Sequence, residues 1–306
     1  MVKVGILEAE TPLAGELIRI LVNHPETDLV TLYSPPLQGY SVTHQHHGLI
    51  GETPLNFTDK LILEDLDFLI IQNDSEIARQ IIKSSGDADL KIVSLVKNLI
   101  ANPKENVDIG LSEINRKALV RTAKKAFLPA PDMIGPLITL APLASFLLLN
   151  SDLNIEVFLP EDILKSFDKE RSVEEISFQL KRFQNSFNGA ITLTPTIHSY
   201  QRTAVSKITI NNNLPLSEIE DIYERAYDDH NFTFLTSKEL RPEEVEGTQK
   251  VLIHLSKPSA DTLEIESIYD PRMRSGAGDI VHVMNLFFGL HEKTGLSLKS
   301  SCYVSK

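Results

Sequence analysis

Over the first 150 residues, short apolar runs alternate with stretches whose apolar residues recur at helical spacing. No other feature of the chain constrains its fold as strongly. Val2 to Leu7 reads as a β-branched strand. Thr11-Pro12 then opens a helix, with Thr11 as N-cap and Pro12 in the first helical position, where a missing N–H costs nothing. Further strands are expected at Leu29 to Tyr33, Phe68 to Gln72 and Leu90 to Leu95. Helices are expected after Ser75 and over Leu111 to Lys124. Strands alternating with helices predict a doubly wound parallel sheet. The first strand–turn–helix is where such a sheet holds a nucleotide.

The second half has another rhythm. Strands are expected at Ile155 to Phe158, Ala190 to Leu193, Ala204 to Ile210, Phe232 to Leu235, Val251 to Leu255 and Thr262 to Ile268. Two of these alternate apolar and polar residues, the pattern of a sheet covered on one face only. Helices are expected over Val173 to Phe187, over Leu216 to Tyr227 with Ser217 and Glu220 as a capping box, and over Ile280 to Leu290. This half predicts an α+β domain with a mostly antiparallel sheet.

Composition excludes several function classes. The 306 residues hold 30 Lys and Arg against 42 Asp and Glu, a net charge of −12. That balance disfavours nucleic acid and anionic membranes as partners. One cysteine, Cys302, cannot form an internal disulfide, and the opening residues lack a signal peptide's apolar core. A cytoplasmic location is therefore expected. The apolar run Met133 to Leu149, broken by Gly135, Pro136 and Pro142, reads as a buried helix rather than a membrane span.

Four stretches carry a family resemblance: VKVGILEAETPLAGELIRILVNHPE, HHGLIGETPLNFTDKLILEDLDFLII, IGLSEINRKAL and MRSGAGDIVHVMNLFFGLHEKTGLSL. In order and over nearly the whole chain, they resemble N-acetyl-glutamyl-phosphate reductases of the aspartate-semialdehyde dehydrogenase superfamily. The resemblance implies a Rossmann-type domain over 1–150 and a dimerising substrate domain over 151–278. It also implies a C-terminal helix within 279–306 that returns to the first domain.

The functional residues of that family match poorly. Its glycine loop reads G-x-x-G-A-x-G-Y-x-G, which lets the backbone approach a pyrophosphate at a helix N-terminus. Here Gly5 and Gly15 remain, Glu8 and Thr11 replace two glycines, and Pro12 follows. Glu8 and Glu10 bring carboxylates toward the phosphates, at a cost on the order of 4 kcal/mol per like-charge contact at ~4 Å and an effective dielectric of ~20. The nucleophile of the family's N-P-G-C stretch aligns with Pro131, which has no nucleophilic atom, and Asp132 beside it is expected to cap the following helix. The family's histidine-bearing stretch aligns with Glu170 to Ile176, which holds no histidine, and its S-x-D-x-R motif with Val96, Asn98 and Ile100. Gly278 and Asn285 match the closing turn and helix, with Asp279 in place of a glutamine. Arg202 falls where the family has an arginine near its substrate, so Arg202 and His198 are the candidate substrate or anion contacts.

These matches predict no bound nicotinamide cofactor, with NADP expected only if the family function is retained. No metal is expected either, because His44, His46 and His47 lack neighbouring carboxylates or thiols to complete a site. The expected function is that of a semialdehyde-dehydrogenase-like binding or regulatory paralogue, forming a homodimer or pairing with a related reductase. One alternative is an oxidoreductase of the same type with altered chemistry. Another is a non-catalytic metabolite sensor.

Overall fold

A computed structural model describes residues 1–84, 89–100 and 107–300. Cys302 lies outside the described residues. The chain divides into two compact units, Met1–Pro129 with Ser275–Ser297, and Ala130–Arg274 with the tail from Leu298.

The first unit is built on six parallel strands: β1 (Val2–Leu7), β2 (Thr27–Tyr33), β3 (Phe68–Ile71), β4 (Lys91–Ser94), β5 (Asp108–Ile109) and β6 (Lys125–Phe127). Their order is β2-β1-β3-β4-β6-β5. The direction of winding reverses between β1 and β3, so the carboxyl ends of these two strands form the switch point of the sheet. Residues of β3 are buried throughout, as expected of a strand with both faces covered. Two strands escape the periodicity: β5 has only two residues, and β6 follows the helix Ser112–Arg121 where a continuous helix to Lys124 was expected.

The second unit carries β7 (Leu153–Pro160), β8 (Ile191–His198), β9 (Ala204–Asn211), β10 (Thr233–Leu235), β11 (Val251–Ser259) and β12 (Thr262–Tyr269) in the order β10-β11-β12-β9-β7-β8. The four central strands run antiparallel, and the edge pairs β7–β8 and β10–β11 are parallel.

The expected boundary at residue 150 falls instead between Pro129 and Ala130. The helix Pro131–Ser145 belongs to the second unit because it packs directly on that unit's sheet. A Cβ on Gly135 would lie 2.5 Å from Ser206 Cβ and 2.9 Å from Ser267 Oγ, so only glycine permits this approach. The helix contains Pro136 and Pro142 and stays buried from Asp132 to Ala144. Pro142 has no N–H for the carbonyl of Ile138 four residues earlier. The hydroxyl of Tyr227 donates to that carbonyl instead, and Tyr223 donates to the next one, Thr139.

Two caps differ from expectation. The helix Leu216–Tyr227 begins with Pro215 as N-cap and no side-chain cap bond, so Ser217 and Glu220 do not form a capping box. The carbonyl of Pro215 already accepts from the N–H groups of Glu218 and Ile219. Asp132 is not the cap of its helix either: Ala130 occupies that position, and Asp132 lies inside the first turn.

Candidate functional site

The switch point of the first unit is formed by the loop Glu8–Thr11 after β1 and the residues Gln72 to Ser75 after β3. Thr11 caps the helix Pro12–Leu21 by accepting from Ala14 N at 3.1 Å, with Pro12 at the helix start. Gly5 and Gly15 are structural. A Cβ on Gly5 would meet Leu66 Cδ1 at 2.6 Å, and one on Gly15 would meet His46 Nδ1 at 2.7 Å.

Glu8 adopts a left-handed conformation, φ 54°. A glycine would adopt this backbone without strain, and a glutamate does so at a cost of about 1 kcal/mol. The loop has therefore kept a glycine's geometry while changing the side chain. Its carboxylate accepts from Asn73 Nδ2. Gln72 donates to the carbonyls of Leu7 and Glu8 at 2.6 and 3.2 Å, and its Oε1 accepts from the hydroxyl of Thr11. Gln45 holds the carbonyl of Glu10 at 3.1 Å and His46 that of Ala9 at 2.7 Å. Two loop N–H groups and one of the helix's first turn are also engaged within the protein: Ala9 to Tyr33 O at 3.0 Å, Thr11 to Glu8 O at 3.2 Å, and Ala14 to Thr11 Oγ1.

A dinucleotide's pyrophosphate needs free, converging N–H groups and no nearby anion. Here the amides of Ala9, Thr11 and Ala14 are already engaged, Pro12 has no N–H, and the loop carries two carboxylates, Glu8 and Glu10. The residues present do not fit that group. Gln72 and Asn73 have no part in the glycine pattern. Their signal in the sequence is the polar run Gln72-Asn73-Asp74 placed directly after an apolar strand.

Other family-matched positions of this unit lie on the helix Ala277–Phe287. Gly278 is the second residue of the helix Ala277–Phe287. Asp279 is buried and accepts from Ser275 N at 2.7 Å, closing the turn before that helix. Asn285 receives a bond from His24 Nε2 at 3.0 Å and donates to the carbonyl of Thr294 at 2.9 Å. Among the histidines, His44 stacks on Tyr40 and His47 contacts the carbonyl of His44. No group of three or more His, Cys, Asp or Glu among the described residues could hold a metal ion.

In the second unit Pro131 heads its helix. Asp132 is buried, and its Oδ2 has no hydrogen-bond partner among the described residues. Burial raises its pKa, and a bond with Ser172 opposes the shift only in part. Arg202 Nε donates to Asp270 Oδ2 at 2.8 Å. That same oxygen accepts from Gly247 N at 2.7 Å, and Oδ1 accepts from Arg272 N at 2.9 Å. Arg202 thus answers a buried internal carboxylate. His198 ends β8 and lies against the ring of Tyr200, with centroids 4.7 Å apart, and burial lowers its pKa. Ser172 and the residues Glu170 to Ile176 lie in the helix Lys169–Phe183, and no imidazole lies in that helix. Val96 lies after the end of β4, and Asn98 and Ile100 lie in the helical turn Lys97–Ile100.

Comparison with known proteins places these units in context. Residues 3–122 match a family model described as semialdehyde dehydrogenase, NAD binding domain, and residues 166–270 one described as semialdehyde dehydrogenase, dimerisation domain. An N-acetyl-gamma-glutamyl-phosphate reductase of Bacteroides fragilis is 34% identical over 325 residues, covering 99% of this chain and 100% of the relative. The enzyme of the same name from Parabacteroides distasonis is 33% identical over 327 residues, with coverages of 99% and 100%. A solved aspartate semialdehyde dehydrogenase with NADP from Candida albicans superposes with a TM-score of 0.71 at 14% identity, over 94% of this chain and 98% of that one. The comparisons support NADP in the family and do not support the expectation that this chain binds no nicotinamide cofactor. No described helix is long and apolar enough to cross a membrane.

Proposed function

The chain belongs to the semialdehyde dehydrogenase family, and from that premise we propose that it does not reduce an acyl phosphate through a thioester but acts as a binding or regulatory paralogue of the reductases. One observation carries this reading: Pro131 heads the helix at the position the resemblance gives to the nucleophile. Thioester formation requires a thiolate that attacks the acyl carbon and expels phosphate. A proline ring can do neither. Asp132 beside it supplies a carboxylate, but an anhydride formed there would not accept hydride as a thioester does, and burial favours its neutral form. The helix matched to the family's histidine stretch supplies no imidazole base.

A homodimer is part of the proposal, supported by the dimerisation-domain match, and pairing with a related active reductase is its regulatory form. The acidic balance and single cysteine support a cytoplasmic location.

The test is to incubate the purified protein with NADPH and N-acetyl-glutamyl phosphate and to follow nicotinamide oxidation beside an active reductase. Absence of turnover in a folded, dimeric protein is the expected result. Turnover at a rate comparable to the active enzyme would overturn the reading. A second reading, an oxidoreductase with altered chemistry, is favoured by the full-length similarity to named reductases. Oxidation of NADPH with other acyl phosphates or aldehydes, but not with this one, would select it.

A further inference from the structure

The loss of a nucleophile says nothing about the crevice at the ends of β1 and β3, where separate residues are at work. We infer that this crevice is closed to a dinucleotide by a latch of the protein's own side chains, with Glu8 at its centre. The fold that would receive a dinucleotide is intact, so the closure is reversible by substitution.

Four observations support the latch. Glu8 retains the left-handed backbone, φ 54°, so the turn is shaped as a glycine would shape it. Its carboxylate is held by Asn73 across the crevice, in the loop that leads into the N-cap Thr11 of the helix Pro12–Leu21. Gln72 ties the two sides of the crevice together: its amide nitrogen donates to the carbonyls of Leu7 and Glu8, and its amide oxygen receives the hydroxyl of Thr11. Gln45 and His46 secure the next two carbonyls from the opposite side. The carbonyls of Glu8, Ala9 and Glu10 are thus each bonded within the protein. An arriving pyrophosphate would have to displace these bonds and also meet a fixed negative charge, without a Pro12 N–H in return.

The latch has a simple origin in the sequence. Thr11-Pro12 makes a stable helix start without phosphate. Glu8 and Asn73 then supply a hydrogen bond across the crevice that a ligand would otherwise provide. Glycine at position 8 would relax the left-handed strain and remove the charge in one step, so the reopened variant is expected to fold at least as well as the parent.

The experiment is a calorimetric titration of NADPH against the full chain, against Glu8→Gly, and against Glu8→Gly combined with Pro12→Ala. Thermal melts verify that each variant is folded. Glu8→Asn serves as a second single variant, because asparagine tolerates the left-handed conformation and carries no charge. The parent is expected to give no heat at millimolar NADPH, and the variants to bind at least about tenfold tighter than the parent's limit. Micromolar binding by the parent overturns the inference. So do folded variants, Glu8→Asn included, that gain nothing over the parent. Binding by the parent without turnover would leave the proposed loss of thiol chemistry standing, whereas turnover would overturn that proposal, so the two failures are distinguishable.

Discussion

His282 Nε2 lies 2.9 Å from Glu292 Oε2, both side chains buried in the first unit. Arg116 binds the other oxygen of the same carboxylate. The helix Ser112–Arg121, the helix Ala277–Phe287 and the turn after it are thereby fastened around one charge. Asn285, on the same helix as His282, extends the fastening through His24 and the carbonyl of Thr294. The chain's return to its first unit is thus secured by polar contacts as well as by apolar packing.

This arrangement predicts an acid-sensitive contribution to stability. Burial by itself would raise the pKa of Glu292, but the hydrogen bond and charge of His282 and those of Arg116 prevail and hold it at about 2, below its ordinary 4.5. A carboxyl whose folded pKa is depressed stabilises the fold fully above its unfolded value and loses that contribution as the pH falls through the folded one. Glu292→Gln should therefore cost about 2 kcal/mol at neutral pH, and the cost should shrink between pH 4.5 and about 2. Denaturant melts of both proteins across that range would show it. A cost that stayed constant down to the acid end would mean that the charge is not its source.

Asp132 should behave with the opposite sign. Burial raises its pKa above the ordinary 3.8, so its contribution to stability is complete below that value and is lost as the pH rises through the folded pKa. Asp132→Asn removes the charge and keeps the shape. It should stabilise the protein at neutral pH by about 1 kcal/mol, with the gain fading toward pH 3.8. An N-cap aspartate would give a neutral result instead, since asparagine caps a helix equally well.

Thr11 and Ser217 make a matched pair of tests for helix capping. Thr11 accepts from Ala14 N and also engages Gln72, so Thr11→Ala should cost about 1–2 kcal/mol. Ser217 lies inside a helix capped by Pro215 and makes no cap bond, so Ser217→Ala should change stability by less than about 0.5 kcal/mol. Equal costs in thermal denaturation would contradict the assignment of both helix starts.

The same pair shows what the sequence could disclose. Thr11-Pro12 was readable because the cap residue and the proline favour the same boundary. Ser217 with Glu220 fitted the capping pattern equally well, but Pro215 with its preset φ begins the helix two residues earlier, and its carbonyl takes the first bonds. The strands β5 and β6 were too short, at two and three residues, to show a period. In the candidate site, the substitution of Glu8 and Pro131 was visible in the sequence. The partners Gln72, Asn73, Gln45 and His46 were not, because they come from segments 35 to 65 residues away. Only the parallel pairing of β1 with β3 brings Gln72 and Asn73 to the loop.

Pro142 offers a test of how the buried helix of the second unit survives its own sequence. Proline inside a helix removes a backbone bond and costs ~3 kcal/mol when nothing compensates. Here the orphaned carbonyl of Ile138 is taken by the hydroxyl of Tyr227, which projects from a different helix. Tyr227→Phe keeps the ring and deletes only that donor. The carbonyl is then buried and without its compensating bond, so the variant should lose about 1–3 kcal/mol. The double variant Tyr227→Phe with Pro142→Ala restores a backbone N–H four residues from the same carbonyl. If the hydroxyl substitutes for the missing amide, the loss caused by Tyr227→Phe should be smaller in the Pro142→Ala background than in the parent. Equal losses in the two backgrounds, measured as a double-mutant cycle, would show that Tyr227 stabilises the helix by packing and not by replacing the bond that proline removes.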